Sequence, residues 1–284
     1  MKKLNLNSRI LLNNGINIPV IGIGTYRVED GEPVTSEIKW ALEAGYRLID
    51  TASAYNNEEG VGRAIAESGI PREKLFITTK LQDIDEGYAS TLRAIDVSLT
   101  KLELTYVDLY LIHWPTASPN HKISINKRDE TWKAMEEICK SGKAKAIGVS
   151  NYTITHLEEM KKYSAILPVI NQVEFHPFLY QKELLDYCKE NSIALQAHSP
   201  LASGNISRND VIGDIAKKHG KNNTHILIRW SLQHGLIPIP KSIHKERIEE
   251  NIQVFDFELS EEDMVRIDDL NENLRFRSNP ENLK

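Results

Sequence analysis

Cysteines and long apolar runs are scarce in this 284-residue chain. Its two cysteines, Cys139 and Cys188, fall in segments predicted to be helical, and two thiols are too few for a disulfide framework or a zinc finger. No apolar run approaches the roughly 18 residues that a membrane-spanning helix needs, and polar residues interrupt the N-terminal stretch before an apolar secretory core forms. We therefore expect a cytoplasmic protein with no membrane partner.

Basic residues are not in excess either. The chain has 35 Lys and Arg residues against 40 Asp and Glu residues, which gives a net charge of −5. Because nucleic-acid-binding surfaces usually carry a basic stripe, no nucleic-acid partner is expected. Hydrophobic residues make up 40% of the chain, which is enough for a packed core.

The chain does contain eight short segments rich in apolar and β-branched residues, and helical patterns separate them. These predicted strands span residues 20–26, 47–52, 75–81, 107–114, 144–151, 168–175, 193–200 and 237–242. The clearest amphipathic helix covers residues 85–102, and two more helical patterns, 209–219 and 224–234, precede the last strand. A polar insertion at 115–128 interrupts the fourth unit.

Eight such units predict a (β/α)₈ TIM barrel with extra C-terminal helices, folded as a single domain over 1–284. Asn13-Asn14-Gly15 predicts a hairpin within residues 1–19, ahead of the barrel, and residues 272–284 form a short C-terminal tail. A Rossmann fold is the weaker interpretation, because the segment 22–27 lacks the third glycine of G-x-G-x-x-G. A barrel of this kind forms a complete core without a second subunit, so we expect a monomer.

Reactive residues in such barrels come from the carboxyl ends of the strands. Four chemically active side chains fall at or just beyond three of these ends: Asp50, Tyr55, Lys80 and His113. The remaining polar strand ends carry Trp114, Ser150, Asn151, Gln172, Glu174, His176, His198, Ser199, Lys241 and Ser242. Taken singly, each of the four has an ordinary structural explanation, such as a helix cap or a core histidine; they gain meaning only as a set.

As a set, the four residues suit the protonation of a carbonyl oxygen. An ammonium at Lys80 would favour the phenolate of Tyr55, lower its pKa and make it a better proton donor. Asp50 would keep Lys80 charged, and His113 would donate a hydrogen bond to an oxygen in the pocket. The set contains no reductant, so the sequence predicts a cofactor that supplies one.

Ordered motifs along nearly the whole chain resemble the aldo-keto reductase family. They are GYRLIDTA at 45–52 with YNNEEGVG at 55–62, DLYLIHWP at 108–115, GK at 142–143 with IGVSN at 147–151, NQVE at 171–174, and IPKS at 239–242 with RI at 247–248 and EN at 250–251. The resemblance implies an NADPH-dependent reductase of aldehydes and ketones, with a catalytic tetrad of Asp50, Tyr55, Lys80 and His113. It implies no metal.

The resemblance also implies how NADPH would lie across the barrel mouth. Ser150, Asn151 and Gln172 would bind the nicotinamide carboxamide, and Ser199, Leu201 and Ser203 would line the pyrophosphate. Lys241, Ser242 and Arg247 would hold the adenosine 2′-phosphate, with Glu250 and Asn251 near the adenine; a lysine, a hydroxyl and an arginine at the opening of a helix suit a dianion. Further cofactor contacts are expected from Gly24, Thr25, Tyr26, Asp50 and His198, and substrate contacts from Tyr26, Tyr55, His113 and Trp114.

Two positions and the length of the C-terminal tail depart from the usual family pattern. His198 stands where a tyrosine usually stacks on the nicotinamide, so the stacking would depend on pH if this imidazole titrates. Gln82 replaces a common tryptophan and makes one wall of the pocket more polar. The tail after Asn271 is short, which predicts an open pocket that accepts many carbonyl compounds.

Three other functions remain open from the residues alone. A metal-dependent barrel hydrolase could use His113, His176 and His198 with Asp50, although the first strand lacks a His-x-His pair. A Schiff-base aldolase would need a lowered pKa at Lys80, which the neighbouring Asp50 opposes. A non-catalytic NADPH-binding regulator could share the same fold.

Overall fold

The computed structural model describes residues 4–115 and 128–282, so residues 116–127 of the predicted polar insertion lie outside it. The described chain begins with an antiparallel hairpin of β1 (Arg9–Leu11) and β2 (Asn17–Pro19). Gly15 has a φ of 85°, in the left-handed region that glycine enters without strain, which confirms the predicted turn. Leu12 and Ile18 pack against residues inside the barrel, so the hairpin closes its amino-terminal end.

Eight parallel strands follow, each paired with the next in chain order, as predicted. They are β3 (Ile23–Gly24), β4 (Leu48–Asp50), β5 (Phe76–Leu81), β6 (Val107–Ile112), β7 (Ala144–Ser150), β8 (Ile170–Glu174), β9 (Ala194–His198) and β10 (Ile237–Pro238). In β6, the side chains of Tyr110 and Ile112 join the layer beneath the helices, whereas those of Leu109 and Leu111 fill the barrel interior. Burial on both faces explains its almost uninterrupted apolar sequence.

Backbone hydrogen bonds join the first barrel strand to the last. Gly22 N donates to Pro238 O and Gly24 N donates to Pro240 O, both at 3.1 Å. The sheet is therefore closed into the predicted (β/α)₈ barrel, and all strand carboxyl ends face one mouth.

Ten described helices surround or follow the strands. They are α1 (Glu32–Ala44), α2 (Glu58–Glu67), α3 (Tyr88–Leu102), α4 (Arg128–Ser141), α5 (Ile154–Met160), α6 (Lys182–Glu190), α7 (Asp210–His219), α8 (Asn223–Gln233), α9 (Lys245–Asn251) and α10 (Glu261–Asp268). The helix predicted to start at residue 85 begins at Tyr88, because Gly87 precedes it and Asp83–Asp85 forms a 3₁₀ turn. None of these described helices combines the length and apolar character that crossing a bilayer requires.

Candidate active site

A cavity of about 790 Å³ opens at the carboxyl ends of the strands. Most of the predicted site residues line it: Gly24, Tyr26, Asp50, Tyr55, His113, Trp114, Ser150, Asn151, Gln172, His198, Ser199, Leu201, Ser203, Lys241, Ser242, Arg247, Glu250 and Asn251. Thr25 does not. Its side chain is fully buried and its Oγ1 donates to Asp50 O at 3.2 Å, so its expected contact with the cofactor stays a prediction.

Lys80 lies directly behind the wall of this cavity. Its ammonium is fully buried at the end of β5 and donates to Asp50 Oδ1 at 2.5 Å and to Thr51 O at 2.8 Å. The third contact, at 3.3 Å, is with the Tyr55 hydroxyl. The structure therefore brings together the phenol, the ammonium and the carboxylate that were predicted as a set.

The charge state of this group follows from its burial. Burial alone would lower the pKa of Lys80, but the Asp50 carboxylate raises it above its ordinary value, so the side chain stays an ammonium. Burial raises the pKa of Tyr55, and the Lys80 cation offsets only part of that effect. The Lys80 cation thus lowers the pKa of Tyr55 as predicted, but burial outweighs it and the net pKa lies above its ordinary value. The phenol keeps its proton at neutral pH and remains able to donate it.

His113 lines the cavity at the same end as Tyr55. Its ring centre lies 5.6 Å from that of Tyr55 in an edge-on arrangement, and its backbone carbonyl accepts a hydrogen bond from Asn151 Nδ2 at 2.9 Å. Burial, together with the nearby Lys80 charge, holds the pKa of the imidazole well below its ordinary value. The ring is therefore neutral and carries one N–H donor, and His113 lines the cavity.

Two amide side chains link this end of the cavity to the neighbouring strands. Gln172 Nε2 donates to Asp50 Oδ2 at 2.6 Å and to Gln196 Oε1 at 2.8 Å. The backbone carbonyl of Gln172 accepts a hydrogen bond from Ser150 Oγ at 2.8 Å. Asn151 Oδ1 lies 3.0 Å from His198 Nε2. The Asp50–Lys80 pair is thus tied to β8 as well as to β5.

His198 is held neutral by its surroundings. Burial lowers the pKa of its imidazole to about 3, and the nearby positive charges of Lys80 and Arg277 act in the same direction. Near neutral pH this ring carries no charge, so the pH-dependent stacking considered from the sequence is not expected in that range.

The far end of the cavity holds two cations. Lys241 and Arg247 form no ion pair with any carboxylate in the described ranges, and both line the cavity beside Ser242. Behind them, on α1, the Glu37 carboxyl is fully buried, with the Lys241 ammonium and the backbone N–H of Ser242 as its polar neighbours. Burial raises the pKa of Glu37 to about 8, although Lys241 lowers it in part. The sequence gives no signal for Glu37, which reads as one polar residue of an amphipathic helix.

The tail also contributes to the cavity, which was not predicted. Arg277 lines it, and its guanidinium contacts Tyr26, Ser199 and Ser203. The tail is short, yet it forms part of the pocket wall through Arg277. Sequence motifs could not locate Arg277, because its position depends on the path of an irregular segment.

The alternative sites are not assembled. Within residues 4–115 and 128–282, no three His, Cys, Asp or Glu side chains are grouped to hold a metal. His176 is fully buried and its Nε2 lies 3.1 Å from Glu174 Oε1. The raised pKa of Lys80 also disfavours a Schiff-base aldolase.

The barrel and its pocket chemistry indicate an oxidoreductase. Comparison with known proteins then specifies the family: the model of the Aldo/keto reductase family matches residues 20–272, and the chain belongs to that family. It is 50% identical to the glyoxal reductase of Bacillus subtilis over 98% of both proteins. It is 47% identical to the 9,11-endoperoxide prostaglandin H2 reductase of Trypanosoma cruzi, over 96% of this chain and 95% of that protein.

A solved structure supports the same assignment. An aldo-keto reductase of Bombyx mori in complex with NADP matches with a TM-score of 0.91 and 39% identity, over 97% of this chain and 96% of that one. The protein is therefore an oxidoreductase that acts on carbonyl groups with a nicotinamide cofactor.

Proposed function

We propose that this protein reduces aldehydes and ketones to alcohols with NADPH, and that Tyr55 donates the proton. The contact that supports this most directly is the 3.3 Å distance between the Tyr55 hydroxyl and the Lys80 ammonium, itself fixed by Asp50 at 2.5 Å. We also propose that the protein works in the cytoplasm as a monomer. Both cysteines are free, in keeping with a reducing compartment.

The donor groups along the cavity fit NADPH. A phosphorylated adenosine needs cations that are not already neutralised, and Lys241 and Arg247 meet this requirement at one end. At the other end, Ser150, Asn151 and Gln172 present an oxygen- and nitrogen-bearing edge suited to a carboxamide. We therefore propose NADPH rather than NADH, with the nicotinamide beside Tyr55 and His113.

When bound, the cofactor supplies the hydride that the carbonyl carbon accepts. Tyr55 transfers its hydroxyl proton to the carbonyl oxygen, and Lys80 stabilises the phenolate charge left behind. Asp50 keeps Lys80 protonated and fixes its position. The neutral His113 donates a hydrogen bond that orients and polarises the carbonyl before the transfer.

The substrate class remains broad in this proposal. Tyr26 and Trp114 give the entrance an aromatic wall that packs against organic groups without selecting one functional group. Because a 50% identical relative is named a glyoxal reductase, glyoxal-type dicarbonyls are the first compounds to test.

Replacing Tyr55 with Phe tests the proposal. We expect Y55F to lose activity by roughly 10²–10⁴-fold, because the proton donor is gone, while its Kd for NADPH stays unchanged. Turnover is followed by the loss of NADPH absorbance with glyoxal and other aldehydes. Y88F is a matched control, since Tyr88 is half-buried on α3, where it contacts Glu137, and does not line the cavity. Full activity in Y55F, or no turnover by the unaltered protein across the panel, would refute the proposal.

A further inference from the structure

Arg277 extends its guanidinium across the mouth of the cavity. Its Nε donates to the Ser199 hydroxyl and its Nη2 donates to the Ser203 hydroxyl, each at 3.3 Å. Its Cζ also lies 5.0 Å from the centre of the Tyr26 ring. Ser199 and Ser203 follow β9, Tyr26 follows β3, and β10 lies between those two strands. The guanidinium therefore bridges two loops above the end of β10.

The positive charge of Arg277 is not neutralised within the described part of the chain. Its guanidinium hydrogen bonds go to two uncharged hydroxyls, and no described carboxylate pairs with it. A guanidinium has five N–H groups, so three remain for a ligand. An unpaired arginine that lines a cavity and is already oriented by hydrogen bonds is suited to binding an anion.

The position of Arg277 indicates which anion it binds. In the proposed function, the 2′-phosphate lies at Lys241 and Arg247 and the nicotinamide lies at Tyr55. The pyrophosphate joins these two ends and must cross the region between them, where the loop of Ser199 and Ser203 lines the cavity. We propose that Arg277 is a further cofactor-binding residue whose guanidinium holds the pyrophosphate; this rests on the proposed function.

Glu174 positions the segment that carries Arg277. This carboxylate is only 2% exposed, and it accepts hydrogen bonds from Phe276 N at 2.8 Å and Arg277 N at 3.1 Å. His176 Nε2 lies 3.1 Å from Oε1 of the same carboxylate, and this third contact restricts its movement. Glu174 at the end of β8 therefore ties the tail to the barrel and sets the height of Arg277 above the cavity. It is a positioning residue.

Binding measurements on R277Q test the proposal. NADPH contains the pyrophosphate, whereas 2′-AMP carries the 2′-phosphate alone, so the two ligands separate the two anionic sites. We expect R277Q to raise the Kd for NADPH by roughly tenfold to a hundredfold, as the loss of a hydrogen bond to a charged group does, and to leave the Kd for 2′-AMP unchanged. Titration calorimetry at fixed ionic strength measures both values.

A matched arginine of the same tail provides the control. Arg275 donates to Gln181 Oε1 at 3.0 Å and does not line the cavity, so R275Q removes the same charge two residues away. Its Kd values should equal those of the unaltered protein. The proposal is overturned if R277Q binds NADPH within twofold of R275Q, or if it loses 2′-AMP affinity equally. It is also overturned if R277Q leaves the Kd for NADPH unchanged and raises only the KM for carbonyl substrates that carry a carboxylate.

A double-mutant cycle tests the positioning role of Glu174. We expect E174Q to weaken NADPH binding and to add little further loss in E174Q/R277Q, because both changes act through one contact. A purely structural role would lower the unfolding midpoint and weaken NADPH and 2′-AMP alike. Failure of the proposed function looks different from either result, since the unaltered protein would then bind NADPH without reducing any aldehyde.

Discussion

The buried pair of Asp50 and Lys80 provides a quantitative test of how the site is built. Their side chains are 3% and 0% exposed and their charged atoms lie 2.5 Å apart. Removing one partner leaves a buried charge uncompensated, which costs about 3–5 kcal/mol of the free energy of unfolding. We expect this cost for D50N, where the Lys80 ammonium loses its negatively charged partner and keeps neutral oxygens such as Thr51 O and the Tyr55 hydroxyl, and for K80M, where the Asp50 carboxylate keeps the Gln172 amide.

The double variant should behave differently from the sum of the single ones. With both charges gone, no ion remains to be desolvated, and D50N/K80M should fall within about 1–2 kcal/mol of the unaltered protein or exceed it in stability. The coupling free energy would then be at least about 4 kcal/mol. Urea unfolding followed by circular dichroism at neutral pH, analysed by linear extrapolation, measures all four proteins.

A surface pair of the same residue types provides the control cycle. Lys182 and Asp186 form an ion pair on α6, with side chains 63% and 50% exposed. D186N and K182M should show a coupling of only about 0.3–0.5 kcal/mol, because water screens the pair. The reasoning fails if the costs of D50N and K80M simply add. All three site variants should be inactive, including the stable double one.

Two further predictions concern stability. Because Glu37 has a pKa near 8 in the folded protein against 4.5 for a free side chain, the folded state binds a proton that the unfolded state has released between these values. The free energy of unfolding should therefore fall as pH rises through this window, and E37Q should flatten that slope by up to about 1.4 kcal/mol per pH unit; parallel urea profiles would contradict it. On α2, a Cβ at Gly62 would lie 2.4 Å from Leu102 O, so G62A should cost about 1–3 kcal/mol. G213A, with open space on α7, should be neutral or stabilising, and equal thermal midpoints for the two variants would contradict the steric explanation.

The strands were predictable because burial on both faces leaves a simple signature. A continuous apolar run such as that of β6 needs no knowledge of its neighbours to be recognised. The extent of the last barrel strand was less predictable. The strand predicted over residues 237–242 is assigned only at Ile237–Pro238, because Pro238 and Pro240 lack the N–H groups that a regular ladder uses.

The positions of the four proposed catalytic residues were predictable, but their electrostatics were not. Strand ends place Asp50, Lys80 and His113 at one mouth whatever the details of packing. The net pKa shift of Tyr55 is the balance between burial of its hydroxyl, which raises the pKa, and the nearby Lys80 ammonium, which lowers it. Neither the depth of burial nor this distance can be derived from the sequence. Arg277 and Glu37 were missed for a related reason, since both depend on contacts between distant segments.

The way the barrel closes has a consequence for its mechanics. At the junction of β3 and β10, Gly22 and Gly24 donate to Pro238 and Pro240, but the two prolines have no N–H with which to donate in return. One strand therefore supplies every donor at this junction, and the return half of the ladder is missing. If the barrel opens transiently, we expect β3 and β10 to separate most readily. This junction leads to Lys241 and to the rim of the cavity where the dinucleotide would bind.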